Sequence, residues 1–173
     1  MNAQTFYLRL SALKNLFTEI PINPSNFHYS FYYGLDIKLK LNYSTQNNEI
    51  FSFVSNYELP VHIRDVFGQI EFTGQIIFED ELAIFADLDE DHICVNIETN
   101  QVSLNEFGTN FEMLLCAATP EHFLEVLYLL AENKANHYSN LQYKIDDNVF
   151  IKKLVDASGD KNTEQFYTFL LGE

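Results

Sequence analysis

The sequence of 173 residues has no tryptophan, only two cysteines and only six glycines. Cys94 and Cys116 lie in separate apolar runs without a C-x-x-C spacing, so we expect buried, reduced thiols rather than a redox or zinc site. With so few glycines, a loop of backbone amides that could hold a phosphate is hard to place. No P-loop, G-x-G-x-x-G or G-x-S-x-G motif occurs.

Long apolar runs are also missing, since none approaches the roughly 18 residues that a bilayer-spanning helix needs. The first residues, MNAQTFYLRLSALKNLF, do not have the charged start and apolar block of a secretory signal. Hydrophobic residues make up 47% and aromatic residues 15% of the chain, which is typical of a globular protein. The sequence predicts one domain over residues 1–173, located in the cytoplasm.

Basic residues are absent from one long stretch. Between Arg64 and Lys134 there is no Lys or Arg, yet this segment holds fifteen of the 25 acids, so the whole net charge of −15 belongs to it. A field of this sign repels nucleic acid and anionic membranes and speeds the encounter with a basic partner. The simpler alternative is that the acidity only keeps the protein in solution.

The N-terminal third predicts a helix followed by strands. Phe6, Leu10, Leu13 and Phe17 form an apolar stripe over residues 5–18, with Thr5 as a candidate cap. The segment PINPSN then stops the helix, because two prolines cannot continue it. Alternating and aromatic residues predict three strands in the following segment: 27–34, 35–43 and 49–55.

The rest of the chain predicts a β-meander and then helices. Five short runs lie between Gly68 and Asn105, a helix or turn precedes them after Pro60, and the apolar run 111–118 predicts a sixth, inner strand. Thr119, Pro120 and Glu121 begin a helix as cap and first turn, and two shorter helices cover 146–158 and 162–173. The predicted class is α+β, with a central, mostly antiparallel sheet of about six strands and helices at the N-terminus, after the sheet and at the C-terminus.

Residues 87–98, DLDEDHICVNIE, have acids at four places of a calcium-loop pattern, Asp87, Asp89, Asp91 and Glu98. His92 occupies the sixth place, where that loop requires glycine for a sharp turn. Both flanks alternate with the period of strands, which predicts a hairpin with Asp87 to Asp91 at its turn and Glu98 about 20 Å away. No dedicated metal site and no cofactor are therefore predicted.

Other catalytic patterns are weak. The five histidines are scattered, no two acids are marked as a facing pair of the kind that glycosidases use, and a Cys116/His122 pair would place its thiol in an apolar strand. Lys152–Lys153 is the densest basic spot and is too small for a nucleic-acid groove. The sequence predicts a binding protein rather than an enzyme, although a carboxylate-based, metal-assisted enzyme is a remaining alternative.

Several short motifs follow one another in an order that resembles the SUKH superfamily of cell-wall-regulator-like and bacterial immunity proteins. They are Leu59–Pro60 before a short helix, IFAD (84–87), HICVNIETNQV (92–102) and ATPEHFLEVL (118–127), and the closing segment NTEQFYTFLLGE resembles the last helix of one immunity branch. The resemblance covers about residues 58–132. The chain departs from the family pattern in having no Trp, Phe67–Gly68 in place of Asn-Gly, and acids in the hairpin turn.

The resemblance implies a non-enzymatic immunity protein that binds and neutralises a toxin domain, often a nuclease. A basic nuclease cleft would suit an acidic surface as a polyanion decoy. The alternative is a scaffold or regulatory domain, with the aromatic segment 27–55 as an interface. The predicted partner-binding residues are the acids of two turns: Glu79, Asp80, Glu81, Asp87, Asp89, Glu90 and Asp91.

Overall fold

The chain folds as an α+β structure in the computed structural model, which describes residues 1–17, 28–41, 44, 46–109, 111–140 and 142–172. The predicted fold class is confirmed, with helices flanking an antiparallel sheet. In chain order the elements are α1 (Ala3–Leu13), α2 (His28–Gly34), β1 (Lys38–Leu39), α3 (Glu49–Asn56), β2 (Tyr57–Glu58), β3 (Glu71–Glu79), β4 (Leu82–Leu88), β5 (Asp91–Asn96), β6 (Val102–Asn105), β7 (Glu112–Ala117), α4 (Pro120–Ser139), α5 (Asp147–Ser158) and α6 (Glu164–Leu171).

The five strands β3 to β7 form a meander in which each strand pairs antiparallel with the next in sequence. The first two predicted runs, on either side of Gly74, are one strand, because β3 continues through a bulge between Phe72 and Ile77. The prediction of two separate strands there was wrong. Gly74 has a φ of +75°, a left-handed conformation that glycine adopts without steric cost and that a bulge often needs.

Strand β7 is an edge strand, so the prediction of an inner strand for 111–118 was wrong. Its apolar C-terminal half is buried by helices instead of by another strand. The Tyr167 hydroxyl of α6 donates to the carbonyl of Cys116, and Ala118 N donates to the carbonyl of Ser158 at 2.9 Å. Hydrophobicity reports burial, and it does not distinguish a neighbouring strand from a helix that covers the edge.

The N-terminal third differs most from its prediction. The segments predicted as strands at 27–34 and 49–55 contain the helices α2 and α3, and of the described residues 35–41 only Lys38–Leu39 form a strand, paired with β2. A strand over 35–43 would place Ile37, Leu39 and Leu41 on one face, but Ile37 is buried whereas Leu39 and Leu41 are 54% and 103% exposed. Residues 27, 42 and 43 and the segment PINPSN lie outside the described residues.

Helix α3 forms because a capping residue and a helical stripe outweigh the strand preference of its Phe and Val residues. The Asn48 side chain accepts from the backbone N–H groups of Ile50 and Phe51, and Glu49 lies in the first turn, where an acid is favoured. Ile50, Phe53 and Val54 are buried at helical spacing. Both signals were present in the sequence and were missed.

The four predicted helices α1, α4, α5 and α6 are confirmed, and some of their ends are shifted. Helix α1 begins two residues earlier than expected, because Asn2 rather than Thr5 is the cap and its side chain accepts from Thr5 N at 2.8 Å. Thr119 caps α4 as predicted, with Pro120 in its first turn. The closing helices α5 and α6 lie in the predicted segments, and the turn after Pro60 is a short 3₁₀ helix, Val61–Asp65.

The core is organised around phenylalanine rings that link every layer. Phe6 of α1 meets Phe53 of α3 edge-on at 4.9 Å, and Phe53 meets Phe72 of β3 at 5.7 Å. Contacts of about this length continue from Phe72 to Phe85 of β4, at 6.0 Å, and from Phe85 to Phe123 of α4, at 5.8 Å. These aromatic residues account for much of the buried volume of a protein without tryptophan.

The two faces of the sheet are buried differently. Along β4, Ala83 and Phe85 belong to the main core with the helices, whereas Leu82 and Ile84, which alternate with them, join Cys94 of β5 in a separate small cluster. The helices therefore pack on one face, and the small cluster lies on the other. The hairpin turns between the strands project from the ends of this sheet.

Candidate functional site

The meander divides the seven predicted acids between opposite ends of the sheet. Glu79, Asp80 and Glu81 lie at the β3–β4 turn, whereas Asp87, Asp89, Glu90 and Asp91 lie at the β4–β5 turn. The seven residues of β4 separate the two turns by about 20 Å, at roughly 3.3 Å per residue. The acids therefore form two groups, and the larger one, defined as the acidic tip, is the β4–β5 turn.

The acidic tip is a tight hairpin, as the strand pattern predicts. Asp87 pairs with His92 across the strands and Leu88 pairs with Asp91, which leaves Asp89 and Glu90 as the exposed turn. The Asp87 carboxylate Oδ1 lies 2.7 Å from Nδ1 of His92, so this acid has a partner within the hairpin. Asp89 has a φ of +55°, a conformation that aspartate tolerates better than most residues.

Glu98 lies beyond the far end of β5, so the four acids of the calcium-like pattern do not converge. Its backbone N–H and that of Thr99 are bonded to the Asn96 side chain, in the turn beside Glu81. Within the described ranges, no three His, Cys, Asp or Glu side chains are grouped as metal ligands would be. The strands on both sides of the tip replace the helices that a calcium loop requires.

The β6–β7 turn lies beside the acidic tip, because every second turn of a meander falls at the same end. Phe107 N donates to Oδ1 of Asp91 at 3.2 Å, and its ring meets the His92 ring at 5.2 Å with an interplanar angle of 64°. Phe107 and Phe111 are 66% and 67% exposed, and Glu106 beside them is exposed as well. This end of the sheet thus combines carboxylates with exposed aromatic rings.

Within the described residues, no Lys or Arg side chain pairs with the acids of the acidic tip, and only Asp87 has a histidine partner. No residue of the five-stranded sheet is Lys or Arg. The ion pairs that Lys and Arg form with the base-free segment, among the described residues, are Arg64–Glu71 at 3.8 Å, Arg9–Glu125 at 2.9 Å and Lys153–Glu132 at 3.8 Å. In the part of the chain that the structure describes, Asp89, Glu90 and Asp91 form no ion pair with Lys or Arg. Their negative field is directed to the solvent.

The opposite end of the sheet carries the second acidic group. Glu79, Asp80 and Glu81 are exposed, and Ile97 N donates to the carbonyl of Glu81 at 2.8 Å, which places the β5–β6 turn alongside. Phe78, at 63% exposed, packs edge-on against Phe51 of α3 at 5.9 Å. This group has fewer acids than the tip, and its aromatic ring is held against a helix.

Cys94 lies two residues from His92 on β5, and His92 contacts Asp87. A cysteine next to a histidine–aspartate pair could in principle be a catalytic nucleophile. The thiol is 1% exposed, and burial, helped by the Asp87 and Glu79 charges, raises the pKa of Cys94 to about 12. Burial also raises the pKa of Cys116 well above its ordinary value. A nucleophilic cysteine needs the opposite shift, so these residues act in packing. The predicted burial of both cysteines is confirmed.

We expect the native protein to be almost unreactive toward a thiol reagent such as DTNB at pH 8. With a pKa of about 12, roughly one Cys94 in ten thousand is a thiolate at that pH, and the buried sulfur is also sterically shielded. In concentrated guanidinium chloride the reagent should count two thiols per chain. Rapid modification of one thiol in the folded protein would contradict this assignment.

Sequence reasoning missed the residues that lie beside the tip: Glu106, Phe107 and Phe111. The available signal was the order of the strands, because alternate turns of an antiparallel meander lie at one end. Counting turns would have paired the 87–91 turn with the 106–111 turn and separated it from 79–81. The charge pattern along the chain carried no such information.

Comparison with protein families, curated proteins and solved structures found no match for this chain. The resemblance to SUKH proteins stays a prediction from the motifs quoted above. No helix within the described ranges has both the length and the apolar character that crossing a bilayer requires.

Proposed function

We propose that this protein acts by binding a basic protein domain at the acidic tip. The observation that carries the proposal is the concentration of charge: the net charge of −15 arises from a base-free segment, and eleven of that segment's fifteen acids lie in the sheet or its turns. Carboxylates on a projecting hairpin steer a basic surface toward it and orient it on arrival. The same field disfavours nucleic acid and anionic membranes as partners.

The SUKH-like motifs narrow the proposal to an immunity protein that neutralises a toxin domain in the cytoplasm. Nucleases are suitable toxins, because they bind polyanions with basic clefts, and a hairpin that carries Asp89, Glu90 and Asp91 could occupy such a cleft. The alternative function, a scaffold or regulatory domain, would use the same surface. The two functions differ in their effect, because only an immunity protein abolishes the toxicity of its partner.

The arrangement of the acids supports binding over catalysis. The seven predicted acids are split between two turns about 20 Å apart, whereas carboxylate catalysis needs two acids that face each other across a cleft. Among the described residues, Asp87 is the one acid of the tip with a titratable partner, His92, and the thiol next to this pair is buried. Exposed carboxylates on a hairpin are better suited to contact another protein.

Charge reversal of Asp89 and Glu90 tests the proposal. The partner to test is a basic toxin domain, sought in the reading frames next to the one that encodes this protein. We expect Asp89→Lys/Glu90→Lys to weaken the complex with that domain by about tenfold, because two favourable charges become repulsive. The loss should shrink as salt rises. The measurement is a titration by calorimetry at two salt concentrations, together with rescue of growth in cells that express the toxin domain.

The chain supplies a matched control at the other end of the sheet. Glu79→Lys/Glu81→Lys changes the net charge by the same amount in another exposed hairpin turn, so a nonspecific effect of charge would be equal in both variants. A clear difference between the two pairs assigns binding to the tip. Equal weakening, or the absence of any complex with the neighbouring basic domain, would rule the proposal out.

A further inference from the structure

Three apolar side chains beside the acidic tip are exposed together. Phe107 and Phe111 are 66% and 67% exposed, and Met113 at the start of β7 is 45% exposed. Single exposed apolar residues are ordinary on a protein surface, but large ones grouped within seven residues of sequence are typical of an interaction surface. Phenylalanines at such a surface offer flat faces to a partner.

The backbone groups of Phe107 and Phe111 already form hydrogen bonds. Phe107 N donates to Asp91 at 3.2 Å, and its ring rests edge-on against His92, which in turn contacts Asp87. The backbone of Phe111 is paired with Glu106, whose N–H donates to its carbonyl at 2.9 Å. Little of this backbone would have to become ordered when a partner binds. The entropic cost of association is lower for that reason.

The charge around the rings identifies the occupant. The His92 ring lies against Phe107, and the charged groups of the tip and of the β6–β7 turn beside it are all acids: Asp87, Asp89, Glu90, Asp91, Glu106 and Glu112. A second copy of this chain would bring the same six acids into contact with them and be repelled. A purely apolar partner would desolvate those carboxylates without pairing them. A cationic side chain with a flat apolar face satisfies both the rings and the acids.

We propose that Phe107 and Phe111 hold arginine side chains of the partner protein, with the guanidinium stacked on a ring and its N–H groups donated to the tip carboxylates. This inference rests on the proposed binding of a basic protein at the same tip and names the residue type that is recognised. Arginine fits better than lysine because its planar, weakly hydrated cation stacks on aromatic faces and donates to carboxylates at the same time. Buried aromatic–arginine contacts are frequent energetic centres of interfaces.

The test compares two synthetic twelve-residue peptides that carry four arginines or four lysines among glycine and serine. Binding to the whole protein at low salt is followed by NMR titration of the backbone amides of 87–91 and 106–109. We expect the arginine peptide to bind about two- to fivefold more tightly, as cation–π contacts at exposed sites allow. The Phe107→Leu/Phe111→Leu variant, which keeps apolar side chains without an aromatic face, should bind both peptides equally.

Phe169→Leu is the matched control, because Phe169 is 50% exposed on α6 and that helix contacts the opposite end of β7 through Tyr167. It should preserve the preference for arginine. If both peptides bind equally and the double Leu variant changes nothing, the role of the rings is wrong while acidic docking stands. If neither peptide binds the wild-type protein at low salt, acidic docking itself fails. A fold that is unchanged by circular dichroism in each variant makes these outcomes comparable.

Discussion

Replacing Phe53 with alanine is expected to lower the free energy of unfolding by about 3–5 kcal/mol, the usual range for deleting a buried aromatic side chain. Phe53 is fully buried and meets three other rings, Phe6 at 4.9 Å, Tyr57 at 5.5 Å and Phe72 at 5.7 Å. Its removal would leave a cavity where α1, α3 and β3 join. A loss of this size is a large part of the roughly 5–15 kcal/mol that stabilises a typical domain.

Urea denaturation followed by circular dichroism measures this change, and Phe169→Ala is the control. Phe169 is half exposed, so its truncation should alter the free energy of unfolding by about 0.5 kcal/mol or less. Similar losses for both variants would mean that Phe53 does not occupy the centre of the core.

Gly34→Ala is expected to lower the free energy of unfolding by about 2–3 kcal/mol. Gly34 is the last residue of α2, where alanine would otherwise be favoured because of its high helix propensity. A Cβ atom at this position would lie 2.4 Å from the carbonyl oxygen of His62 and 2.6 Å from Cγ2 of Val66. The first contact is with backbone, which cannot turn away as a flexible side chain can. The helix would have to move off the 3₁₀ helix that follows Pro60, and the same denaturation measurement records the cost.

Two further variants separate this close contact from backbone strain. Gly108 has a φ of +77°, and a Cβ atom added there would contact nothing. Gly108→Ala should therefore lower the free energy of unfolding only by the roughly 1–2 kcal/mol that a left-handed backbone conformation costs alanine. Val66→Ala in the Gly34→Ala background should recover part of the loss, because it removes one of the two close contacts. If Gly34→Ala is no more costly than Gly108→Ala, the close packing of α2 on the 3₁₀ helix is wrong.

The elements predicted best from the sequence are those with a clear local pattern, such as a helix cap or the alternation of a strand. Thr119 and Pro120 mark the start of α4, and the alternation of IFAD and HICVN predicts the hairpin that forms the acidic tip. These patterns act over a few residues, so they do not depend on what packs against them. The same applies to the rejection of the calcium loop, which followed from His92 and the strand flanks.

The wrong assignments come from positions where packing outweighed local preference. Phe and Tyr favour strands on average, but in α2 and α3 they pack as helical faces against other aromatic rings. The run 111–118 is apolar because α6 covers its end, and no neighbouring strand is needed. Its place at the edge depended on residues about fifty positions later in the chain.

Composition and order along the chain determined the acidic character of this protein, the base-free segment, the α+β class and the hairpin at 87–91. Only the tertiary structure decided which acids lie close together. Antiparallel pairing sends consecutive turns to opposite ends of a sheet, so Glu79 to Glu81 separate from Asp87 to Asp91, and the 106–111 turn joins the latter. Proximity in sequence and proximity in space differ here because a strand of seven residues extends about 20 Å before the chain reverses.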